Sequence, residues 1–529
     1  MDISRRTLLA TGLGVTAAGT LAACGQVTDG LFGAGTHAGH NMDGTLLTDD
    51  LMKRIEAREA QRYGSGRTVK FKLSPQLASG SIGGGTKFTT KLYNGQLTGP
   101  LLRASVGDLM EITLDNQLDE PTTLHTHGLA LRNDMDGVSG VTQGKVAAGA
   151  SFVHSFKSPH AGTYWYHSHT GFQPEEGMYG PLVIDDPKEI TPDYDTEWII
   201  LIDDWTVGIG PTPQQQLDAL IKAGGGTTAS SDGMGGMGMG NMNGMGGMNH
   251  SHMAGEDTFG LGHSDVPYNA YLVNGRRPED PTVFTAKPGE RIRLRVINAG
   301  SDTAFQFALQ DHELTLTHTD GFPVVPFTTD SVVIGMGERY DAIVTAGSGV
   351  FGFVAQPIGK TGNPAMALLK TASGSAPKAG FKPAEFGKRV AQARDLQAHA
   401  SVELTGTPEA TASAMLMGSM APYQWSINGT TDMFASPLII PDGKTARVTF
   451  MNHSMMYHPM HLHGHTFQVR SIDGQQVASG ARKDTVLVKP MTTVTVDVLA
   501  DNPGNWALHC HNLYHMERGM MTVVKYAFS

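Results

Sequence analysis

Four His-x-His pairs stand in this chain of 529 residues: His125/His127, His167/His169, His461/His463 and His509/His511. Cys510, the only cysteine besides Cys24, sits inside the last pair. In a β-strand alternate side chains share a face, so each pair should aim two imidazoles the same way, about 7 Å apart at ~3.3 Å per residue, with Cys510 on the opposite face. One strand would then serve two metal centres. His458 just upstream of His461, with His515 and Met520 five and ten residues beyond Cys510, completes a ligand set around the thiolate. Cysteine, two histidines and a distant methionine are the donors of a blue copper electron-transfer site.

These residues need elements to hold them, and one element recurs three times. Gly107 to Asn116, Gly289 to Asn298 and Gly443 to Asn452 share a single spacing, with apolar and polar residues alternating between a turn glycine and an asparagine. That is the period of a half-buried strand, in a unit used three times. Nine residues past the asparagine stands His125 in the first copy and His461 in the third; in the middle copy the position holds Phe307, with Leu309 two further on. A second echo relates Gly162-x4-His167-x-His169 to Gly504-x4-His509-x-His511. Copies one and three therefore each donate two histidine pairs, and the cluster belongs where those domains meet. Short strands bounded by Gly, Pro and Asn, with helical pattern only near 50–62 and 213–223, predict an all-β chain of three sandwich domains over 65–188, 196–375 and 400–529.

His125-Thr-His-Gly, His167-Ser-His, His458-Pro-Met-His-Leu-His-Gly and His509-Cys-His-x3-His-x4-Met520 resemble the four copper motifs of the multicopper oxidases, in particular exported bacterial members of the laccase and copper-tolerance type. The likeness runs over roughly residues 65–529. It implies Greek-key domains of the cupredoxin type and four copper ions. The type 1 ion would take Cys510, His458, His515 and, more weakly, Met520. His125 and His461 would hold the type 2 ion, and His127, His167, His169, His463, His509 and His511 the coupled type 3 pair. Eight imidazoles shared over three ions leave positions open for dioxygen. Four electrons make two waters and consume protons, so an acid is expected nearby. Asp136 matches the family position for a carboxylate by the type 2 ion. Copper-tolerance relatives carry an acid directly after the last type 1 histidine; here that position is Met516, and Glu517 is the substitute. Asp484 lies in a segment that supports the third domain in the family and reads as structural or as a partner to a ligand. His465 reads as an outer or core histidine, and His154, His160, His312, His318 and His453 as structural or surface groups.

The formal net charge is −11, and residues 1–23 carry a net +1, so a processed chain would stand at −12, a poor partner for nucleic acid. Ser4-Arg5-Arg6-Thr7-Leu8-Leu9 and the weakly apolar stretch after it resemble a twin-arginine export signal over 1–23. Leu21-Ala22-Ala23-Cys24 resembles a lipoprotein cleavage box. The expected setting is the cell envelope or periplasm, with a lipid on Cys24 and residues 24–64 as a tether. Cys510 would then be the one free thiol, and no internal disulfide could form.

Residues 233–253 carry Met234, Met237, Met239, Met242, Met245, Met248, Met253, His250 and His252 in a Gly/Asn background. Thioethers are soft donors that favour Cu(I), and glycine denies them a core to fill. This segment is the expected Cu(I) collector. The leading functional expectation is oxidation of Cu(I) at the expense of dioxygen, protecting the cell from copper. Alternatives are a laccase-like oxidase of phenols, aromatic amines, Fe(II) or Mn(II), and, from another class, a copper-sequestering protein.

Overall fold

The structure is a computed structural model that describes residues 45–186, 188–189, 192–224, 259–261 and 265–528. The expected leader, Cys24 and the methionine-rich stretch 233–253 lie outside the described residues. All the described residues belong to one unit, His40–Ser529.

Each of the three Gly-to-Asn stretches becomes the strand on which its domain is built. Leu109–Asp115, Arg291–Asn298 and Thr445–Asn452 pair in parallel with Thr68–Leu73, Thr196–Trp205 and Ala410–Met420 respectively. On the other side each pairs antiparallel, with Ser151–Lys157, Arg339–Thr345 and Thr493–Leu499. The asparagine repeats its task as well. The Asn116 side chain donates to Glu120, Val146 and Ala147 carbonyls, Asn298 to Thr303 and Ile334, and Asn452 to Met456, Val488 and Lys489. One buried amide thus satisfies the carbonyls of the loop leading into each second sheet, the cost of leaving them unpaired being roughly 1–3 kcal/mol per group. In the first domain the apolar faces of the two sheets, Met110, Ile112 and Leu114 from one and Leu102, Tyr166 and Leu182 from the other, close into a common core.

The second sheet carries the histidines. His125–His127 pairs antiparallel with Gly162–His167, setting His125 opposite His167; His458–Leu462 pairs with Asn505–Cys510, setting His461 opposite His509. In the middle domain Phe305–Leu309 takes the same place, with Phe307 opposite Ala355. Phe307 and Leu309 are fully buried in the apolar core.

Two expectations change. The stretch 24–64 is not a tether over its described part: the helix expected near 50–62 forms as Asp49–Gln61, capped by the Thr48 side chain accepting from the Leu51 N–H, with Leu51, Met52 and Ile55 buried. Leu47, Leu51, Met52 and Ile55 pack with Phe528, Arg58 donates to the Asp501 carbonyl, and Glu59 accepts from the Lys157 N–H, so the helix joins the first and third domains. The strand rule also holds for one histidine pair only. His169, His463 and His511 lie just past their strand ends, although His463 N–H to Ala507 O and His511 N–H to Pro459 O carry the antiparallel register of those two strands one residue further. The ring centroids sit 4.8–6.1 Å apart, in the pair held within a strand (His125/His127, 5.8 Å) as in the others, closer than ideal strand spacing allows. Pro213–Gly224 is the second helix, near its expected place. Among the described residues no helix is long and apolar enough to cross a membrane.

Candidate metal centres

All eight paired histidines converge between the first and third domains. His169, His463 and His509 offer nitrogens within 4.8 Å of one another, as do His125, His461 and His463, and His125, His127 and His167. One nitrogen of most rings is fixed by the protein. His167 Nδ1 bonds the Ser168 carbonyl at 2.8 Å, His509 Nδ1 the Cys510 carbonyl at 2.9 Å, His461 Nδ1 the Asp484 carbonyl at 3.0 Å and His125 Nδ1 the Asp136 carbonyl at 2.9 Å. The other nitrogen is left over: His125 Nε2, His127 Nδ1, His167 Nε2, His461 Nε2 and His511 Nε2 are buried with no hydrogen-bond partner. Buried polar atoms without partners are rare, and five aimed into one space are the signature of bound cations. Burial, and after it the proximity of the other rings, lowers His127, His167, His169, His463, His509 and His511 well below the ordinary imidazole range, so each stays neutral with a lone pair to offer. This donor set fits copper.

The second centre lies on the other face of the strand Asn505–Cys510. Cys510 Sγ stands 3.6 Å from His458 Nδ1 and 3.7 Å from His515 Nδ1, and those two nitrogens are 3.0 Å apart. His515 is delivered by a short helix, Leu513–Glu517, capped by the Asn512 side chain accepting from Tyr514 and His515 N–H. Asn512, an N-cap residue type placed directly ahead of the helix, is the sequence signal for this start. Met520, fully buried, accepts at its carbonyl from Cys510 N–H and donates its own N–H to the His515 carbonyl. Burial pushes the Cys510 thiol well up, so a bound cation is what would hold it as thiolate. The outward nitrogens are also tied: His458 Nε2 lies 2.7 Å from Ser454 Oγ, and His515 Nε2 3.0 Å from Asp265 Oδ2. Trp425 stacks on His515 at 3.8 Å between centroids.

The middle domain, which lacks the histidine pairs, still touches the cluster. Asp484 Oδ1 lies 3.2 Å from His127 Nε2, and the same carboxylate takes both Arg339 NH groups at 2.7 and 2.6 Å. Burial opposes the charge on Asp484, but the Arg339 guanidinium and hydrogen bonds from His127 and His461 prevail and hold its carboxyl well below the usual range. The glycine of the first His-x-His-Gly motif is explained here. Gly128 has φ +91°, and a Cβ on it would lie 2.7 Å from Asp484 Oδ2. Gly337, with φ +82°, presents bare backbone to the cluster: a Cβ there would stand 2.9 Å from His511 Cδ2 and 3.0 Å from His127 Cε1. Gly337→Ala is therefore expected to cost roughly 1–3 kcal/mol by overpacking and to displace both rings. Copper analysis should find the variant short of metal. Full loading at unchanged stability would show that the rings give way freely.

Asp136 is fully buried, with Oδ2 2.9 Å from His463 Nδ1 and Oδ1 3.2 Å from His125 Nδ1. Glu517, the expected substitute acid, stands outside the cluster's cavity, and burial of its carboxyl raises it above the usual range. It lies in a surface groove with Met433 and Met521, because one residue step on a helix turns the side chain by about 100°. Met516 instead lines a cavity of about 20 Å³ beside His167, His169, His509 and His511, room for one water-sized molecule. The outer wall of that cavity is a thioether where an acid was sought. His465 bonds the His463 carbonyl and the Tyr526 hydroxyl, an outer position as expected.

Three cupredoxin sandwiches with a thiolate centre backed against an eight-histidine cluster define a copper-dependent oxidase that uses dioxygen. The family description "Multicopper oxidase" matches in three parts, residues 77–189, 196–375 and 405–527, and the chain belongs to that family. It is 43% identical over 525 residues to the multicopper oxidase MmcO of Mycobacterium tuberculosis, covering 99% of this chain and 96% of that one. A copper resistance protein A homolog of Pseudomonas syringae pv. tomato is 28% identical, over 83% of this chain and 90% of the relative. Among solved structures, the laccase from Botrytis aclada superposes with a TM-score of 0.69 at 23% identity, over 89% and 90% of the two chains, which is a likeness of fold.

Proposed function

We propose that the protein is an exported cuprous oxidase, tethered by a lipid on Cys24 in the cell envelope or periplasm, that oxidises Cu(I) and so detoxifies copper. Cys510, His458, His515 and Met520 would hold the type 1 ion. His125 and His461 would hold the type 2 ion through their free Nε2 atoms, and His127, His167, His169, His463, His509 and His511 the type 3 pair. Copper bound at these places supplies one-electron transfer at the thiolate and four-electron reduction of dioxygen to water at the cluster. The chain supplies the rest. Cys510 joins the two centres through its neighbours His509 and His511, and the His509 ring donates to the Cys510 carbonyl at 2.9 Å, a second bonded route between them. Asp136, bonded to His463 and His125, is the acid assigned to hold a proton for the cluster. Arg339, Asp484 and Gly337 fix the ring orientations.

One observation carries the choice of a small cation as electron donor. His458 and His515 are both fully buried, and their outward nitrogens are capped by Ser454 and Asp265. An aromatic substrate has no ring edge to touch, whereas the negative charge of the Asp265 carboxylate, buried beside His515, favours a cation arriving at the surface nearby. Relatives named for copper resistance and the methionine-rich residues 233–253 point the same way. Dioxygen uptake by the copper-loaded chain should rise with Cu(I) and exceed the uptake with phenols at matched electron supply. Deleting residues 233–253 should slow the cuprous reaction and leave phenols reacting equally well or faster. Phenols outpacing Cu(I) in the intact chain would favour the laccase-like reading, and no uptake with either donor would leave a copper-sequestering protein.

A further inference from the structure

The described methionines divide by domain in a way that packing does not require. The six that precede residue 370, Met52, Met110, Met135, Met178, Met336 and Met366, are all buried. The third domain holds every exposed methionine among the described residues: Met415, Met417, Met420, Met455 and Met491, with Met455 and Met491 71% and 62% accessible. Single exposed apolar residues need no explanation, but these gather.

Met415 and Met417 share the outward face of the strand Ala410–Met420, while Ala414 and Leu416 between them point into the core. Met415 is the direct neighbour of Met451 in the parallel strand Thr445–Asn452, and Met451 is also half-exposed and outward. Side chains on paired strands in register stand roughly 5 Å apart at Cβ, well within reach of one ion for flexible thioethers. The next step along carries Met417 beside exposed His453, whose N–H bonds the Leu416 carbonyl. Met491 follows on the third strand's lead-in turn, its N–H donated to the Ser454 carbonyl. Its φ is +56°, a conformation that favours Gly or Asn, so a methionine there is held for its side chain rather than for its backbone.

We infer that Met415, Met417, Met451, His453, Met455 and Met491 form a binding face for a soft monovalent cation, with Cu(I) as its physiological occupant. Five thioethers and an imidazole, with no carboxylate among them, select a soft ion over Cu(II) or alkaline-earth ions. This rests on the cuprous reading above and adds a folded collecting site to it. The face connects to the thiolate centre: Ser454 follows His453 directly, and its hydroxyl lies 2.7 Å from His458 Nε2. Gly224, from which the chain runs on toward the methionine-rich residues, packs against the backbone of Met420 and Tyr423 at the end of the same strand. Each Cu(I) bound at the face gives one electron to the type 1 centre and leaves as Cu(II), for which thioethers are poor ligands. Four such electrons and four protons convert one dioxygen to two waters.

The test uses Ag(I), a soft monovalent ion with no accessible oxidation, on the full-length copper-loaded protein. Met415, Met417 and Met451 are changed together to Leu, which keeps apolar volume and removes sulfur. Anaerobic calorimetric titration should show about one fewer Ag(I) bound per chain in the variant, and the KM for Cu(I) should rise about tenfold with kcat retained. In the wild-type protein labelled with 13C at methionine methyls, Ag(I) should shift the Met415, Met417 and Met451 resonances, assigned from single Met→Leu changes. Equal Ag(I) stoichiometry together with unshifted methyls would overturn the face as a site. Retained Ag(I) binding at the face in a protein that fails to consume dioxygen with Cu(I) would instead overturn the cuprous reading and leave the site standing.

Discussion

Cys510→Ser is expected to abolish the blue absorption and to cut oxidase turnover with every donor by about a thousandfold or more, a rise of over ~4 kcal/mol in the effective barrier. The reason is position as well as softness. Cys510 Sγ is the one sulfur atom within 4 Å of both His458 Nδ1 and His515 Nδ1 among the hydrogen-bonding contacts of the site, and its strand neighbours His509 and His511 belong to the other cluster. A serine oxygen supplies neither the thiolate that this copper geometry demands nor the same covalent route between the centres. The substitution is nearly isosteric in a fully buried place, and a hydroxyl there has two imidazole nitrogens as partners, so the fold should survive. Circular dichroism and copper counting on the purified variant check this: three ions retained, one lost. A variant that kept strong blue absorption would remove Cys510 from the centre.

Arg339→Leu is expected to have the largest effect on stability, about 3–5 kcal/mol, because it leaves the fully buried Asp484 carboxylate without its countercharge. Arg339 joins all three domains: it donates to the Thr163 carbonyl in the first, to its own Gly337 carbonyl, and to Asp484 in the third. Since Asp484 is held below its ordinary range when folded, the stabilisation it contributes is complete above the unfolded carboxylate range, near pH 4, and disappears only as pH falls through the lowered folded value. The wild-type chain should therefore lose this stabilisation as pH falls below about 4, so its advantage over the variant is largest at pH 7 and narrows toward pH 3. Denaturant melts at pH 7 and at pH 3 separate the two chains. Asp484 also bonds His127, so the variant should lose copper from the cluster as it loses stability. Matching melts at both pH values would show that water replaces the guanidinium without cost.

Part of this organisation was written locally in the chain. The three Gly-to-Asn strands were readable because their alternation is a two-residue period and the terminal asparagine does the same bonding each time. Phe307 and Leu309 were readable as core because the count of nine from Asn298 lands where His125 and His461 stand in the other copies. The gathering of the eight paired histidines followed from the same count. What stayed hidden depends on docking. Arg339 reaches Asp484 across 145 residues and Asp265 reaches His515 across 250, and nothing near any of them in sequence marks the pairing. Gly337 had a weak signal in the spacing Gly335-Met336-Gly337, but a turn glycine and one that makes room for two imidazoles read alike until the rings are placed. The place of Glu517 follows from its helix: Leu513–Glu517 is a helical turn that sets Met516 beside the histidine cluster and Glu517 in a surface groove.

The division of the histidines between the two ends of the chain has a consequence for how the protein comes into being. Half of them lie at 125–169 and half at 461–511, and the first half meets the second only after the third sandwich has been completed and docked. Domains fold in order as a chain is synthesised. A nascent or truncated product thus owns only four of the eight paired histidines and no cysteine thiolate centre, too few donors to assemble an oxygen-reducing cluster. Metal captured by such a fragment could not be coupled to the orderly four-electron step that ends in water. Placing the thiolate and its ligands in the last of the three sandwiches makes docking of that sandwich the condition for redox activity, so that a copy lacking it is inert rather than a source of partly reduced oxygen.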